Sequence, residues 1–377
     1  MKKVIVLGAG LVGKPMAIDL AKDFEVTVAD ISRHRLDKIP DLPNLKKVEA
    51  DLSDSIILVN LISDKDIVLN ALPGDLGFNA LKTVIEQGKN IIDIAFFPEE
   101  ADVLDGLAKE KNVTAIMDCG VAPGMSNILI GYVNEKLDSI DNAVIYVGGL
   151  PKIRQWPWEY KAVFSPADVI EEYTRPARYV ENCQLVIREA LSDPEYLEFD
   201  GVGTLEAFNS DGLRSLIYTI NAPNMKEKTL RFPGHIEKIA VLKATGFFSK
   251  DPIEFNGHII RPLDFTSKLL FPNWELKQGE EDITVMRIEV EGHKNGKKIS
   301  YRYDLYDSYD AKTQTHSMAR TTGYTATMAV RMLAQGLFNE KGLIYPEIIG
   351  KHNNCVSFIL DGLKERGIVY KETITEG

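Results

Sequence analysis

Short, almost unbroken apolar runs punctuate the first third of the chain, and most are followed by a stretch in which apolar residues recur every three or four positions. The runs fall at 3–7, 25–29, 67–72, 90–95 and 113–117, with a weaker one at 46–50, and they are rich in Val and Ile. Continuous apolarity over the length of a strand marks burial on both faces, the condition of strands in a parallel sheet. The intervening stretches 12–22, 53–61, 78–87 and 99–110 carry the helical period. This alternation predicts an α/β fold with a Rossmann-type, doubly wound parallel sheet.

From about residue 145 to 305 the pattern changes. Alternating strands at 283–291 and 298–304 flank Lys294-Asn295-Gly296-Lys297, an Asn-Gly hairpin turn. Helical periods occur at 210–217 and 236–245. A second, α+β domain with a mainly antiparallel sheet and helices on one face is expected. Helices are predicted at 318–337 and 353–366, the latter capped by Asn353 or Asn354 and striped by Val356, Ile359, Leu360 and Leu363. Such a stripe requires a covering surface. The expected organisation is therefore discontinuous. Residues 1–122 and 317–377 form a dinucleotide-binding domain, and 123–316 form a substrate-binding and dimerisation domain.

The chain has 377 residues and a net charge of −11, which disfavours nucleic acid or an anionic membrane as the main partner. Its three cysteines are far apart, which disfavours a disulfide framework and a cysteine-rich zinc site and fits a reducing compartment. No stretch of about 18 apolar residues is present, and the chain opens directly on a strand. The expectation is a cytoplasmic homodimer or higher homo-oligomer acting on a small amino-acid substrate. Six scattered histidines show no ligand spacing, so no metal is expected.

The sharpest chemical signal is Gly8-Ala9-Gly10-Leu11-Val12-Gly13, placed between the first strand and the first helix. Gly8 permits the tight turn, Gly10 lets a pyrophosphate approach, and Gly13 allows close packing of helix on strand. The N–H groups of Leu11, Val12 and Gly13 open the helix toward the phosphates. Asp30 ends the second strand, where a carboxylate accepts from ribose hydroxyls and repels a 2′-phosphate. The expected cofactor is NAD, with Arg33 and Arg35 just beyond as a counterweight. Asp51 and Leu52 follow the third strand, at the adenine edge or at a helix start capped by Ser53. Asn70, Leu72 and Pro73 end the fourth strand, on the nicotinamide half of the crevice. Asp93 and Gly120 lie at the ends of the next two runs, where such sheets bind ligands.

Asp118-Cys119-Gly120-Val121-Ala122-Pro123-Gly124-Met125-Ser126-Asn127 ends a strand in a Gly/Pro turn and starts a helix expected over 127–137, capped by Ser126. With this segment the chain resembles the saccharopine dehydrogenase-like family of oxidoreductases, and within it the lysine 6-dehydrogenases. The similarity extends through Phe164-Ser165-Pro166, Ile170-Glu171-Glu172-Tyr173, Gly203-Thr204-Leu205-Glu206-Ala207-Phe208, Arg231-Phe232-Pro233-Gly234-His235 and Ser317-Met318-Ala319-Arg320-Thr321-Thr322-Gly323. The resemblance implies NAD-dependent oxidative deamination of the ε-amino group of L-lysine to the 6-semialdehyde, which cyclises to piperideine-6-carboxylate. The competing readings are a saccharopine or carboxyspermidine-type dehydrogenase and an NAD-binding sensor without turnover.

Amine oxidation by hydride loss needs the nitrogen lone pair, so a proton must leave an ammonium whose ordinary pKa is near 10.4. His235 is the first candidate base, with a structural role at a helix start as its alternative. Glu171, Glu172 and Tyr173 form the second cluster; adjacent acids on a helix point to different sides, so at most one faces the cleft, with a solvated face as the alternative. Arg175, Arg231 and Arg320 are the candidates for the substrate carboxylate, with Arg231 preferred, since Arg presents a fork of donors. Arg320 has a bracing role as its alternative. Asp118 is placed with the substrate end of the crevice.

Overall fold

The structure is a computed structural model that describes residues 1–277 and 279–377. The chain divides into two compact units. The first comprises Met1–Asp138 and Met318–Tyr370, and the second Ser139–Ser317 and Lys371–Gly377. The division differs from the expected one at three points, the smallest being Ser317, which belongs to the second unit. The stretch 123–138, with its helix, belongs to the first unit, and the last seven residues belong to the second.

In the first unit, β1 (Lys3–Leu7), β2 (Glu25–Asp30), β3 (Leu45–Glu49), β4 (Ile67–Asn70), β5 (Asn90–Asp93) and β6 (Thr114–Ile116) alternate with α1 (Gly13–Leu20), α2 (Arg33–Asp37), α3 (Ser55–Ile62), α4 (Gly74–Glu86), α5 (Asp105–Glu110) and α6 (Met125–Asn134). The second unit contains β7 (Ser139–Pro151), α7 (Pro166–Thr174), β8 (Ala177–Glu181), β9 (Gln184–Arg188), β10 (Glu195–Phe199), β11 (Gly203–Asn209), α8 (Leu216–Thr219) and β12 (Asn224–Arg231). It continues with α9 (His235–Ala244), β13 (Ile253–Phe255), β14 (His258–Ile260), α10 (Pro262–Trp274), β15 (Asp282–Lys294) and β16 (Lys297–Ser308). Then follow α11 (Ser317–Ala334), β17 (Gly342–Ile344), α12 (Pro346–Gly350), α13 (Asn353–Glu365) and β18 (Tyr370–Glu376).

The first sheet runs β17-β6-β5-β4-β1-β2-β3, with every adjacent pair parallel. Its order reverses between β1 and β4, and that switch point opens a crevice at the carboxyl ends of the strands. Val4, Ile5, Val6 and Leu7 are fully buried, as the unbroken apolar run implies. One core cluster joins Ile5, Leu7, Leu58, Val68, Leu81, Val84, Ile91, Phe97 and Ala115. β17 and α12 were not legible as separate elements, being only three and five residues long.

The second sheet runs β10-β11-β12-β7-β15-β16-β18 with β8 and β9 attached. It is antiparallel apart from the parallel pair β12–β7 among the pairings described. The Asn295-Gly296 turn joins β15 and β16 as the sequence implies. The expected helix at 210–217 is mostly loop. The Ser210 hydroxyl donates to Glu227 Oε2 (2.6 Å), Asp211 accepts from the Arg178 guanidinium (2.9 and 3.0 Å), and Arg214 has a positive φ of 52°. These side-chain commitments compete with helix formation. The helix expected over 127–137 starts earlier. Gly124 is its N-cap, and Ser126 does not cap it but donates to Asn127 Oδ1 (2.9 Å). His352, rather than either asparagine, precedes α13, with no side-chain cap. Among the described residues no helix is long and apolar enough to cross a membrane.

Candidate active site

The glycine loop of the first unit is built by two steric requirements. Gly8 has φ +98°, and a Cβ there would lie 2.7 Å from the Ala71 carbonyl oxygen. A Cβ on Gly13 would lie 2.1 Å from the Gly8 carbonyl oxygen. Gly10 is different: a Cβ there would meet nothing within 4 Å. Protein packing therefore demands the outer glycines, while the middle one leaves open space where a diphosphate approaches the helix N-terminus. Val12 stands at the N-cap of α1 with no side-chain cap, so the helix amides are left for a ligand, and Leu11 is exposed.

Asp30 is buried, and each carboxylate oxygen accepts one backbone N–H at 2.7 Å, Oδ2 from Ala9 and Oδ1 from Ser32. It thus shapes the glycine loop as well as presenting lone pairs at the end of β2. Arg35 reaches within 3.7 Å of it. Asp51 is exposed and accepts from the Ser53 N–H (3.0 Å) and hydroxyl (2.6 Å). Neither caps the helix: Asp54 does, accepting from Ile56 and Ile57. Leu52 is buried in the core.

The ends of β4, β5 and β6 hold a connected polar group. Asn70 donates from Nδ2 to Asp93 Oδ2 (3.0 Å), and its Oδ1 accepts from the Leu72 N–H (3.3 Å). Asp93 Oδ1 accepts from the Ala95 N–H (2.7 Å). Burial pushes the Asp93 carboxyl up to about 7, helped by the charge of Asp118. Pro73 precedes α4, and the Gly120 N–H donates to the Pro123 carbonyl (3.0 Å). Asp30, Asn70 and Asp93 thus lie at the carboxyl ends of β2, β4 and β5, and the open space over Gly10 and the uncapped start of α1 fit a dinucleotide, whereas Leu52, anticipated beside it, is core.

Arg320 is placed otherwise than expected for a substrate residue. It is buried, its guanidinium donates to the Arg366 carbonyl (2.9 Å), and it lies near the Tyr324 ring. This is the bracing role, tying α11 to the end of α13.

In the second unit the family-like segments converge. Arg231 ends β12, Tyr173 and Glu172 lie on α7, and His235 starts α9. Arg231 Nε donates to Tyr173 Oη (3.0 Å), and Tyr173 Oη lies 2.9 Å from His235 Nε2. His235 Nδ1 lies 2.8 Å from the Trp158 carbonyl oxygen. That oxygen only accepts, so Nδ1 carries the proton and Nε2 accepts from the tyrosine. Arg231 Nη1 donates to the Leu230 carbonyl and Nη2 to Glu172 Oε2 (2.7 Å). Tyr160 and Trp274 pack around the histidine.

Of the two readings of His235, this geometry fits the structural one at the helix start rather than the base. The ring is fully buried, and burial together with the Arg231 charge pushes its pKa down to about 3. Both nitrogens are committed, so the imidazole is a neutral structural link in the hydrogen-bonded chain. Tyr173 is also buried, its pKa raised by burial. Arg231 is locked by its partners rather than held ready for a carboxylate. Of the four, Glu172 keeps the most access, with a quarter of its side chain exposed. The group here that titrates near neutrality is one the sequence did not single out. Glu227, on the same face of β12 as Thr229 and Arg231, is pushed up to about 8 by burial while accepting from Ser210. Its position two and four residues before Thr229 and Arg231 on a strand was the available signal.

A parallel sheet of this order with a glycine loop at its switch point defines a nicotinamide-dinucleotide-binding domain. Residues 4–116 match the family model of the saccharopine dehydrogenase NADP binding domain, and residues 120–368 that of the saccharopine dehydrogenase C-terminal domain. The protein belongs to the saccharopine dehydrogenase family, whose members are oxidoreductases acting on amine-containing substrates. It is 25% identical to the mitochondrial alpha-aminoadipic semialdehyde synthase of Bos taurus, over 98% of this chain and 47% of that protein. The chain thus spans about half the length of this relative. It is 24% identical to the carboxyaminopropylagmatine dehydrogenase of Synechocystis over 92% of each chain. The fold is that of the L-glutamate-forming saccharopine dehydrogenase of Saccharomyces cerevisiae, with a TM-score of 0.82, 18% identity and full coverage of both chains.

Proposed function

We propose that the protein is an NAD-dependent dehydrogenase that deaminates the ε-amino group of L-lysine oxidatively to the 6-semialdehyde. The observation that carries the dehydrogenase reading is the β1–β4 crevice, where Gly10 faces open space and Asp30 closes the end of β2. The choice of lysine rests on the resemblance of the segments at 120–127, 164–173 and 231–235. When bound, the nicotinamide supplies the hydride acceptor. The loop at 8–13 and the amides of α1 hold its diphosphate, and Asp30 receives the adenosine ribose. In the second unit Glu172 offers the accessible carboxylate for an ammonium, while Arg231, Tyr173 and His235 fix its position. The second reading is a secondary-amine dehydrogenase, favoured by the similarity to the Synechocystis protein.

The deciding experiment follows NADH formation with lysine, saccharopine and carboxyaminopropylagmatine as substrates. Lysine should be turned over fastest, and faster from pH 7 toward pH 10 as the neutral amine becomes common. Turnover of only the secondary amines would replace the lysine reading with the second one. Turnover of none, with NADH still bound, would leave a sensor.

Cofactor choice is testable at Asp30. Asp30→Ser removes a charge that repels a 2′-phosphate but also the acceptor of the Ala9 N–H. Affinities for NADH and NADPH should both fall, NADH more, so that their ratio shifts about tenfold toward NADPH. An unchanged ratio would take Asp30 out of the ribose site.

A further inference from the structure

The polar side chains at the ends of β4 and β5 form a buried hydrogen-bonded pair that the reaction above does not use. Asn70 and Asp93 are register partners on adjacent parallel strands, and both are fully buried. The Asn70 amide is oriented from both sides. Its Nδ2 donates to Asp93 Oδ2, and its Oδ1 accepts from the N–H of Leu72, the residue that enters the turn Leu72-Pro73-Gly74 before α4. We propose that Asp93 is a positioning residue for the nicotinamide half of the cofactor site, acting through Asn70 on this turn, and only while its carboxylate is ionised.

The argument is one of donors and acceptors. An ionised Asp93 accepts only, which suits the Asn70 amide nitrogen and leaves Asn70 Oδ1 for Leu72. A proton on Oδ2 makes Asp93 a donor. Asn70 must then turn its carbonyl toward Asp93, and its NH2 faces the Leu72 N–H, donor against donor. The turn loses its side-chain anchor. Among the described residues, the charged and titratable groups that face Asp93 are Asp118 and the Cys119 thiol, both just after β6. The thiol is pushed up to about 12 by burial and stays neutral, so Asp118 alone adds charge. Burial, helped by Asp118, pushes the Asp93 carboxyl up to about 7.

The inference rests on a nicotinamide cofactor occupying the crevice, and the test separates the two. NADH binding is titrated by fluorescence from pH 5.5 to 9, with NADPH in parallel, for the wild type, Asp93→Asn and Asn70→Ala. Asparagine at 93 places a donor where the protonated acid would, and alanine at 70 deletes the link while leaving the Ala95 contact to Asp93. Wild-type affinity should rise about tenfold through pH 7, the effect of one buried hydrogen bond. Both variants should bind with a flat profile at the low-pH level. A rise seen only with NADPH would keep the role of Asp93 and overturn the choice of NAD. A flat wild type, or a rise kept in both variants, would overturn the role of Asp93.

A second readout needs no cofactor. Asp93 has a folded pKa raised from 3.8 to about 7, so the native state holds a proton that the unfolded chain releases between those values. Stability contributed by this group therefore falls as pH rises from about 4 to 7 and is level above. The melting temperature of Asp93→Asn relative to the wild type should climb over that window and then stay constant. A difference independent of pH would show that Asp93 does not titrate there, and the proposal would fail with cofactor binding intact.

Discussion

Gly10→Ala should leave the protein folded and close to wild-type stability while weakening dinucleotide binding ~100-fold, the loss expected when a methyl group occupies the diphosphate's approach. The backbone of Gly10 lies outside the left-handed region, and its Cβ would have no neighbour within 4 Å, so the fold does not ask for glycine there. A surface substitution without strain or contact costs within about 0.5 kcal/mol. Gly13→Ala should do the opposite. Its Cβ would sit 2.1 Å from the Gly8 carbonyl oxygen, and the only relief is to move α1 away from the loop that Gly8 anchors. Forced overpacking costs about 1–3 kcal/mol or more, a large fraction of a marginal domain's stability. The pair is read by thermal melts and NADH titration together. Unaltered NADH affinity in Gly10→Ala would take the loop out of the diphosphate site, and a normal melt for Gly13→Ala would refute the packing argument.

The first unit was largely legible because its signals are local. Continuous Val/Ile runs specify strands buried on both faces, and the glycines between β1 and α1 are spaced for one loop. The exceptions include the three-residue β17 and the five-residue α2 and α12, too short to show a period. In the second unit the residue types were visible but their partners were not. His235 lies 62 residues from Tyr173 and 77 from Trp158. Nothing in Arg231-Phe232-Pro233-Gly234-His235 tells that both imidazole nitrogens are already bonded. A histidine in a motif reads as a base until burial is known, and its pKa follows from burial and from the Arg231 charge rather than from sequence. Glu227 was missed for the converse reason. In Asn224–Arg231 it sits among Lys226 and Lys228 and reads as a solvated pair of charges. The strand's alternation in fact turns Lys226 and Lys228 to one face and Glu227, Thr229 and Arg231 to the other. Loop residues 210–217 failed similarly, since the commitments of Ser210 and Asp211 lie on distant strands.

Asp19→Ala should destabilise the first unit by about 3–5 kcal/mol, the cost of removing one partner from a buried ionic network. Asp19 lies on α1 and is 2% exposed. Its Oδ2 accepts from Arg331 Nη1 (2.8 Å) and from the Thr327 hydroxyl (2.8 Å), both on α11, and the carboxylate also meets Arg366 just after α13 (3.0 and 3.1 Å). Arg331 reaches on to Asp23, which is half exposed. One carboxylate thereby fastens the two late helices to the helix that opens on the glycine loop. Without it, two guanidinium groups would face each other in a poorly hydrated space. Burial alone would raise the Asp19 pKa, but the charges of Arg331 and Arg366 outweigh it and hold the carboxyl below its ordinary value. A folded pKa that is depressed contributes stability fully present above the unfolded value near 3.9 and lost as pH falls through the folded one. The gap between wild type and Asp19→Ala, measured by urea unfolding, should thus be constant from pH 8 to about pH 5 and close below about pH 4. Asp19→Asn, which keeps the shape and one acceptor, should lose most of the same stability and show the same closing of the gap, because the charge rather than the volume is what the two arginines require. A variant as stable as the wild type at pH 7 would show that solvent reaches the arginines as readily as the aspartate does.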